Sequence, residues 1–234
     1  MMLQVEDIHT FYGESRALQG VSLEVRTGEV VCLLGRNGAG KSTTLKSIMG
    51  LTPPRQGRVR FEGEEIQGRP AHWIARRGLA LVPEDRRIFA DLTVKENLEV
   101  AMRPRPRGER RWSIARLFDE YPMLAEVRDQ AGGTLSGGQQ QVLSIARALV
   151  TEPTLLLLDE PNEGLAPVIV QQIGALIERL AETTTILFTD QSVPFALKHA
   201  SRAYVLQKGT VVYEGTTEAI RKDPEIQTRY LSVA

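Results

Sequence analysis

A glycine-rich loop at residues 35–42 constrains the fold of this chain more than any other feature. The loop reads Gly-Arg-Asn-Gly-Ala-Gly-Lys-Ser and fits the phosphate-binding pattern G-x-x-x-x-G-K-[ST]. The apolar run Val30–Leu34 before it predicts a strand buried on both faces, as in a parallel sheet. Helical spacing from Ser42 to Met49, ended by Gly50, predicts a helix after it. We therefore expect an α/β fold with a phosphate site between a buried strand and a helix.

The residue types in this loop suit a bound polyphosphate. Glycines let backbone N–H groups turn inward around an anion, and the positive end of the following helix faces the same place. Lys41 can reach the terminal phosphates, and Ser42 can offer its hydroxyl to Mg²⁺. The residues predicted to bind the phosphates are Gly35, Arg36, Asn37, Gly38, Ala39, Gly40, Lys41, Ser42 and Thr43.

A second apolar strand is predicted at Leu155–Leu158, and Asp159 and Glu160 follow it. In proteins with a phosphate loop, an Asp at the end of such a strand holds Mg²⁺. The adjacent carboxylate, Glu160, could position and polarise an attacking water. An apolar run that ends in Asp is common by itself. Together with the phosphate loop, it predicts a site that hydrolyses a nucleoside triphosphate.

A third segment, Leu135–Gln139, reads Leu-Ser-Gly-Gly-Gln and precedes a predicted helix. A serine and two glycines at the start of a helix make a further backbone site for an anion. Taken alone, the segment is equally well explained as a helix cap. If it lies on a separate lobe, it cannot easily face this chain's own phosphate loop.

Strand and helix patterns alternate at both ends of the chain, around a mostly helical stretch at about 92–149. Hairpins are predicted over residues 58–64 and 204–213. We expect an α/β core with a small antiparallel β portion and a helical lobe. The basic run at 103–111 is predicted to be a solvated loop, with contact to anionic lipid head groups as the alternative.

The amino-acid composition excludes several classes of protein and of binding partner for this chain. The chain has one Cys, which excludes an internal disulfide and favours a reducing compartment. None of its apolar runs approaches the roughly 20 residues needed to span a bilayer. Basic and acidic residues both number 29, so there is no basic excess of the kind that usually marks nucleic-acid binding. We expect no nucleic-acid partner.

The order and approximate spacing of the three motifs resemble the nucleotide-binding subunit of an ABC transporter. The resemblance covers essentially the whole chain and implies ATP and Mg²⁺ as ligands. It implies an α/β fold: a P-loop NTPase cassette with a RecA-like core, a small antiparallel β subdomain and a helical subdomain. Residues 1–234 would form one ATPase domain, with the core at 1–87 and 150–234 and the helical subdomain at about 88–149.

The resemblance also implies roles for particular residues. Tyr12 would stack on adenine, with Phe11 as the competing candidate and a core aromatic as the other alternative. Two cassettes would sandwich two ATP molecules head to tail, and residues 164–166 would cross their interface. The signature residues of one cassette would contact the ATP that its partner holds; they are Ser136, Gly137, Gly138 and Gln139.

Two positions depart from the general pattern of the family. Glu84 stands where a Gln is usual, and Gln191 stands where a His is usual. A carboxylate near the phosphates must ligate or face the metal, be protonated, or turn away. Arg86 and Arg87 could hold Glu84 turned away. Gln191 would sense the γ-phosphate through its amide but cannot become cationic. We predict slower or differently coupled hydrolysis, with Glu160 still acting on the water.

These departures, together with residues 86–89 and 163–167, resemble one ATPase subunit of the branched-chain amino-acid importers. Related importers handle urea, short amides and aromatic acids. The resemblance implies two transmembrane permease subunits, a second, different ABC ATPase subunit (or a homodimer in isolation), and, indirectly, a periplasmic or external substrate-binding protein. The chain would lie peripherally on the cytoplasmic side of the plasma (inner) membrane. A permease helix would dock near Glu84–Phe89 and the helical lobe.

Two other classes of ABC protein compete with the importer. Non-transport members in translation usually carry tandem cassettes, whereas repair members insert a long coiled coil between loop and signature. This chain has one loop and one signature, and only about 90 residues separate them. An exporter subunit is the other alternative, and Glu84 with Gln191 favours the importer.

Overall fold

The computed structural model describes residues 1–103 and 111–223. Over these residues the core is a sheet with strand order β10-β9-β3-β8-β7-β6, in which the neighbours from β9 to β6 run parallel and β10 is antiparallel to β9. Its strands are β3 (Val30–Leu34), β6 (Leu79–Val82), β7 (Leu155–Leu158), β8 (Thr185–Asp190), β9 (Arg202–Gln207) and β10 (Thr210–Thr216).

Central strands of this sheet are buried on both faces, which explains their continuous apolar sequences. Side chains alternate along a strand, so successive residues enter different cores. In β3, Val30, Cys32 and Leu34 join one hydrophobic cluster, while Val31 and Leu33 join the other. The sheet therefore separates two cores.

A second, antiparallel sheet packs over one of these cores, with strand order β2-β1-β4-β5. Its register pairs Leu3 with Val25 and with Phe61, all three of which are buried. The strands are β1 (Leu3–Tyr12), β2 (Ser15–Val25), β4 (Gln56–Phe61) and β5 (Glu64–Glu65).

Helices cover the other core and connect the strands. Residues of α3, α4 and α6 share one hydrophobic cluster with the parallel sheet. The helices of the described residues are α1 (Lys41–Ile48), α2 (Ala71–Arg76), α3 (Val94–Glu99), α4 (Ile114–Glu120), α5 (Pro122–Ala125), α6 (Gly137–Leu149), α7 (Pro167–Ala181), α8 (Val193–His199) and α9 (Thr217–Lys222), with a 3₁₀ turn at Gly132–Thr134.

The predicted fold class is confirmed: an α/β core, a small antiparallel sheet and a helical portion are all present. The predicted basic loop lies largely outside the described residues. Within residues 1–103 and 111–223, no helix has the length and apolar character to cross a bilayer. The division into a core and a helical subdomain stays a prediction, since one hydrophobic cluster joins them.

Candidate nucleotide site

The glycine-rich loop connects the carboxyl end of β3 to the start of α1. A Cβ at Gly35 would stand 2.6 Å from the backbone oxygen of Leu206, so no larger residue fits there. Gly40 has φ +109°, and a Cβ there would stand 2.8 Å from Leu18. Neighbouring atoms therefore leave no room for a side chain at Gly35 or Gly40, and Gly40 also has a left-handed backbone that favours glycine.

Lys41 lies inside the curve of this loop and is almost fully buried. Its ammonium group donates to the carbonyl oxygens of Gly35 at 2.7 Å and Arg36 at 3.1 Å. It also pairs with Glu160 Oε1 at 3.0 Å, and Glu160 is only 7 % exposed. A buried charge of either sign is costly unless it is paired. A phosphate that reaches Lys41 would therefore compete with Glu160 for the ammonium group.

Asp159 joins the loop to the middle of the sheet. Ser42 Oγ donates to Asp159 Oδ1 at 3.0 Å, and Thr189 Oγ1 donates to the same oxygen at 2.8 Å. Burial raises the pKa of Asp159, while the hydrogen bonds from Thr189 and Ser42 lower it. A hydroxyl and a buried carboxylate side by side are oxygen donors of the kind that Mg²⁺ prefers. These two residues therefore fit the predicted magnesium site.

Gln191 and Glu160 are direct neighbours, although 31 residues separate them in sequence. Gln191 Nε2 donates to Glu160 Oε2 at 2.8 Å and to Glu163 Oε2 at 3.3 Å. Both amide hydrogens thus face carboxylates. The backbone N–H of Glu160 donates to Thr189 Oγ1 at 2.9 Å, which fixes the main chain beneath the carboxylate. The sequence had not indicated these roles for Glu163 and Thr189.

Glu84 follows β6 and lines the same cleft as Lys41, Ser42 and Glu160. Burial, followed by the charges of Glu160 and Asp159, raises its pKa. The suggestion that arginines turn it away is wrong. Arg87 pairs with Asp85 at 3.0 Å, and Arg86 donates to Gln141 at 3.2 Å. Glu84 therefore faces the cleft, beside the buried carboxylates of Glu160 and Asp159.

Asp190 is a further buried carboxylate that sequence reasoning missed. It accepts hydrogen bonds from Asn162 Nδ2 at 2.9 Å and from the backbone N–H of Ser192 at 2.6 Å. Burial raises its pKa to about 6. Its backbone oxygen accepts from the N–H of Gly35 at 3.2 Å, which ties the end of β8 to the loop.

The cleft over the loop has a volume of about 650 Å³. Its lining includes Arg16 and Lys208, which sequence reasoning did not single out. Two hairpin turns bring them there: Gln19 Nε2 donates to the Lys208 oxygen at 3.1 Å, and the Gly209 N–H donates to the Ala39 oxygen at 2.8 Å. The hairpin over residues 204–213 is predicted from the sequence, but nothing local in the sequence places its turn beside the loop.

Tyr12 lies at the end of β1, beside the loop. It is 49 % exposed, and its hydroxyl is 3.5 Å from Thr43 Oγ1. Phe11, the competing aromatic, packs instead beneath the guanidinium group of Arg55, 4.6 Å from the ring centroid. An exposed ring beside the loop fits base stacking better than a ring that is already covered.

The signature segment caps α6. Ser136 Oγ accepts from the N–H of Gln139 at 3.3 Å, and Gln139 Oε1 accepts from the N–H of Ser136 at 2.9 Å. Gly138 is packed closely, since a Cβ there would stand 3.0 Å from Ile169. Over the described residues, the lining of the phosphate cleft includes none of residues 136–139. The site and the signature segment are therefore separate surfaces of one chain.

A phosphate loop at a strand end, with two acidic residues at the end of a neighbouring strand, defines a P-loop nucleotide-binding protein. The family model described as ABC transporter matches residues 18–163. This chain belongs to that family, as the sequence motifs predicted.

Three comparisons place the chain more finely. It is 44% identical to the high-affinity branched-chain amino acid transport ATP-binding protein BraG of Pseudomonas aeruginosa, over 98% of this chain and 99% of that protein. It is 36% identical to the lipopolysaccharide export system ATP-binding protein LptB of Haemophilus influenzae, over 98% and 97%. A dimeric ATP-binding cassette in a post-hydrolysis state, bound to ADP and Pi, is 27% identical with a TM-score of 0.79, over 92% and 99%.

Proposed function

We propose that this chain is the ATP-hydrolysing subunit of an importer for branched-chain amino acids. One observation carries the hydrolytic part: Glu160 is buried between Lys41 and Gln191, 3.0 Å from the first and 2.8 Å from the second. Similarity to BraG over nearly the full length of both chains supports the cargo class. Urea, short amides and aromatic acids remain the alternative cargoes.

The chain's own groups divide the work of hydrolysis. Backbone N–H groups of the loop and the Lys41 ammonium group bind the β- and γ-phosphates. Ser42 and Asp159 would hold Mg²⁺, which neutralises charge on the phosphate oxygens. Once a phosphate takes over Lys41, the carboxylate of Glu160 is released from its ion pair. It can then orient a water and accept its proton.

Gln191 orients the Glu160 carboxylate in this scheme. Its amide donates to Glu160 and Glu163, and it stays neutral at every pH. A histidine at this place could carry a positive charge toward the γ-phosphate. We therefore expect hydrolysis at this site to be slower than in a cassette that has the histidine.

The signature segment lies away from this chain's own phosphate cleft, which supports a composite site. Ser136 and Gln139 hydrogen-bond to each other, and neither lines the phosphate cleft of its own chain. A partner cassette that faces them would place its ATP at the start of α6, where free N–H groups attract phosphate. The partner would be a second, different ABC ATPase, or a copy of this chain in isolation.

An apolar groove of about 430 Å³ suits a helix from a permease subunit. Phe89 contributes an exposed ring at its edge, and Val100 is also exposed. Arg147 lines the groove; its Nη2 donates to the Arg86 oxygen at 3.0 Å, while its buried Nη1 has no partner within the described protein. A carboxylate or a helix carbonyl from the permease would complete it.

Lipopolysaccharide export is the second candidate, because LptB relatives match over the same length. The identity of 44% with BraG against 36% with LptB favours import. Glu84 and Gln191 also favour import, because these two residues resemble those of the branched-chain amino-acid importers.

Isolation of the native complex tests the transport assignment. Tagged chain is purified from gently solubilised membranes, and its companions are identified by mass spectrometry. Two permease subunits, a second ATPase and an amino-acid-type binding protein are the expected result. Ribosomal or DNA-repair proteins would contradict the transport role, and two copies of this chain with no second cassette would contradict the heterodimer.

A further inference from the structure

The guanidinium group of Arg86 lies against the start of the signature segment, although the two are far apart in sequence. A Cβ built on Gly137 would stand 3.4 Å from Arg86 Nη1 and 3.7 Å from Leu165 Cδ2. The Cα–Cβ bond of a helical residue tilts toward the amino end of its helix. The guanidinium group therefore lies beside the amino end of α6, where the lack of a side chain at Gly137 lets it approach the backbone.

One nitrogen of this guanidinium group fixes its position, and the other two remain free to bind. Arg86 Nε donates to Gln141 Oε1 at 3.2 Å, and Gln141 is only 3 % exposed on α6. Within residues 1–103 and 111–223, neither Nη1 nor Nη2 donates to an acceptor. Both atoms have solvent-accessible surface, since neither is among the buried polar atoms that lack a partner. Their N–H donors are thus available to a ligand at this surface.

The positive charge of Arg86 is not balanced by a neighbouring carboxylate. The adjacent carboxylate of Asp85 pairs with Arg87 at 3.0 Å, and no described carboxylate forms an ion pair with Arg86. The backbone N–H groups of Gly137 and Gly138, at the positive end of α6, likewise have no acceptor in the described part of the chain. An unpaired guanidinium group beside free helix N–H groups suits the oxygens of a phosphate.

The chain's own nucleotide is not the ligand that this surface faces. Glu84 lines the phosphate cleft of the chain, but Arg86, two residues later, does not. We propose that Arg86 binds the terminal phosphate of the ATP that the partner cassette holds. Its Nη1 and Nη2 donate to the phosphate oxygens that the N–H groups of Gly137 and Gly138 also face. This assignment rests on the proposed composite site, and it adds a side-chain cation to that site.

Dimerisation that depends on ATP tests this contact without hydrolysis. Glu160→Gln should keep its bound ATP intact, so its self-association with saturating ATP is followed by analytical ultracentrifugation. Adding Arg86→Gln should weaken the dimer about tenfold for each lost contact, and about 100-fold for its two sites. Arg87→Gln in the same background is the matched control and should not weaken it. Arg87 shares the left-handed backbone, with φ +46° against +60° for Arg86, but pairs with Asp85.

Mixed dimers show whether Arg86 acts across the interface. Glu160→Gln and Arg86→Gln should each hydrolyse ATP slowly when alone. In a mixed dimer, one site combines Glu160 of the first chain with Arg86 of the second. Mixing equal amounts should therefore restore up to about a quarter of the wild-type rate, since half of the dimers are mixed and each has one intact site of two. If Arg86 only tethers Gln141 within its own chain, mixing restores nothing.

The outcomes separate this proposal from the composite site on which it rests. Equal dimerisation with and without Arg86→Gln, or no recovery of hydrolysis on mixing, would overturn the role of Arg86 and leave the composite site standing. Failure of Glu160→Gln itself to dimerise with ATP would contradict a composite site between copies of this chain, and the proposal with it. Arg86→Asn, which suits a left-handed backbone, replaces Arg86→Gln if that variant does not fold.

Discussion

Replacement of Thr189 by Val removes one hydroxyl that supports both acidic residues of the nucleotide site. That hydroxyl donates to Asp159 at 2.8 Å and accepts from the N–H of Glu160 at 2.9 Å, and it is fully buried. Valine keeps the shape but leaves the N–H without an acceptor. An unsatisfied buried group costs about 1–3 kcal/mol, and a lost hydrogen bond to a charged group costs a similar amount.

These losses overlap, so we expect Thr189→Val to lower the free energy of unfolding by about 3 kcal/mol. For a chain of this size, that corresponds to a fall of about 6–12 °C in Tm. Circular dichroism at neutral pH without nucleotide measures it. The pKa of Asp159 should also rise, because the Thr189 hydrogen bond lowers it.

Thr184→Val is the matched control. Thr184 is buried just before β8, but its hydroxyl has no partner within the described protein. Removal of an unsatisfied hydroxyl should leave Tm unchanged or raise it by about 2–4 °C. The reasoning is refuted if Thr189→Val unfolds within 2 °C of the wild type. It is equally refuted if both variants lose the same stability.

Three further predictions concern the carboxylates and the amide. In the wild type, the raised pKa of about 6 means that protonated Asp190 stabilises the fold at low pH, and this stability is lost as pH rises from 4 toward 6. Asp190→Asn should remove this dependence of the free energy of unfolding on pH. Wild type should thus lose about 3 kcal/mol relative to the variant between pH 4 and pH 7 in urea unfolding; parallel curves would contradict this. Gln191→His should raise ATP hydrolysis in the assembled complex, and a lower rate would contradict the proposed role of the amide. Glu163→Gln should lower kcat with little change in KM, because it frees the Gln191 amide from one of its two carboxylates; an effect on KM alone would oppose this.

Local patterns made the core of the fold predictable. Continuous apolar runs at β3 and β7 are typical of strands covered on both faces, and the glycine-rich loop marks the turn between β3 and α1. The sequence analysis assigned Lys41 and Glu160 to one site, and the structure has them in contact at 3.0 Å.

Strand order and turn placement were not predictable in the same way. Thr189 reaches Asp159 only because β8 lies beside β7, and nothing local in the sequence states that order. Lys208 enters the cleft because a distant hairpin packs on the loop. Arg87 could have paired with Glu84, but it pairs with Asp85, which is two residues away in sequence. Such choices between competing partners are decided by three-dimensional packing.

The central claim is that Glu160 acts on the water that attacks ATP. The most direct test is phosphate release by the purified chain with saturating ATP and Mg²⁺, measured for wild type and Glu160→Gln. Glu120→Gln is the control, because Glu120 is a half-buried carboxylate that pairs with Arg179 and does not line the phosphate cleft. We predict a loss of at least about 100-fold for Glu160→Gln, the size of a lost general base, with ATP binding retained and Glu120→Gln unaffected. A Glu160→Gln variant that binds ATP and hydrolyses it at the wild-type rate would contradict the account.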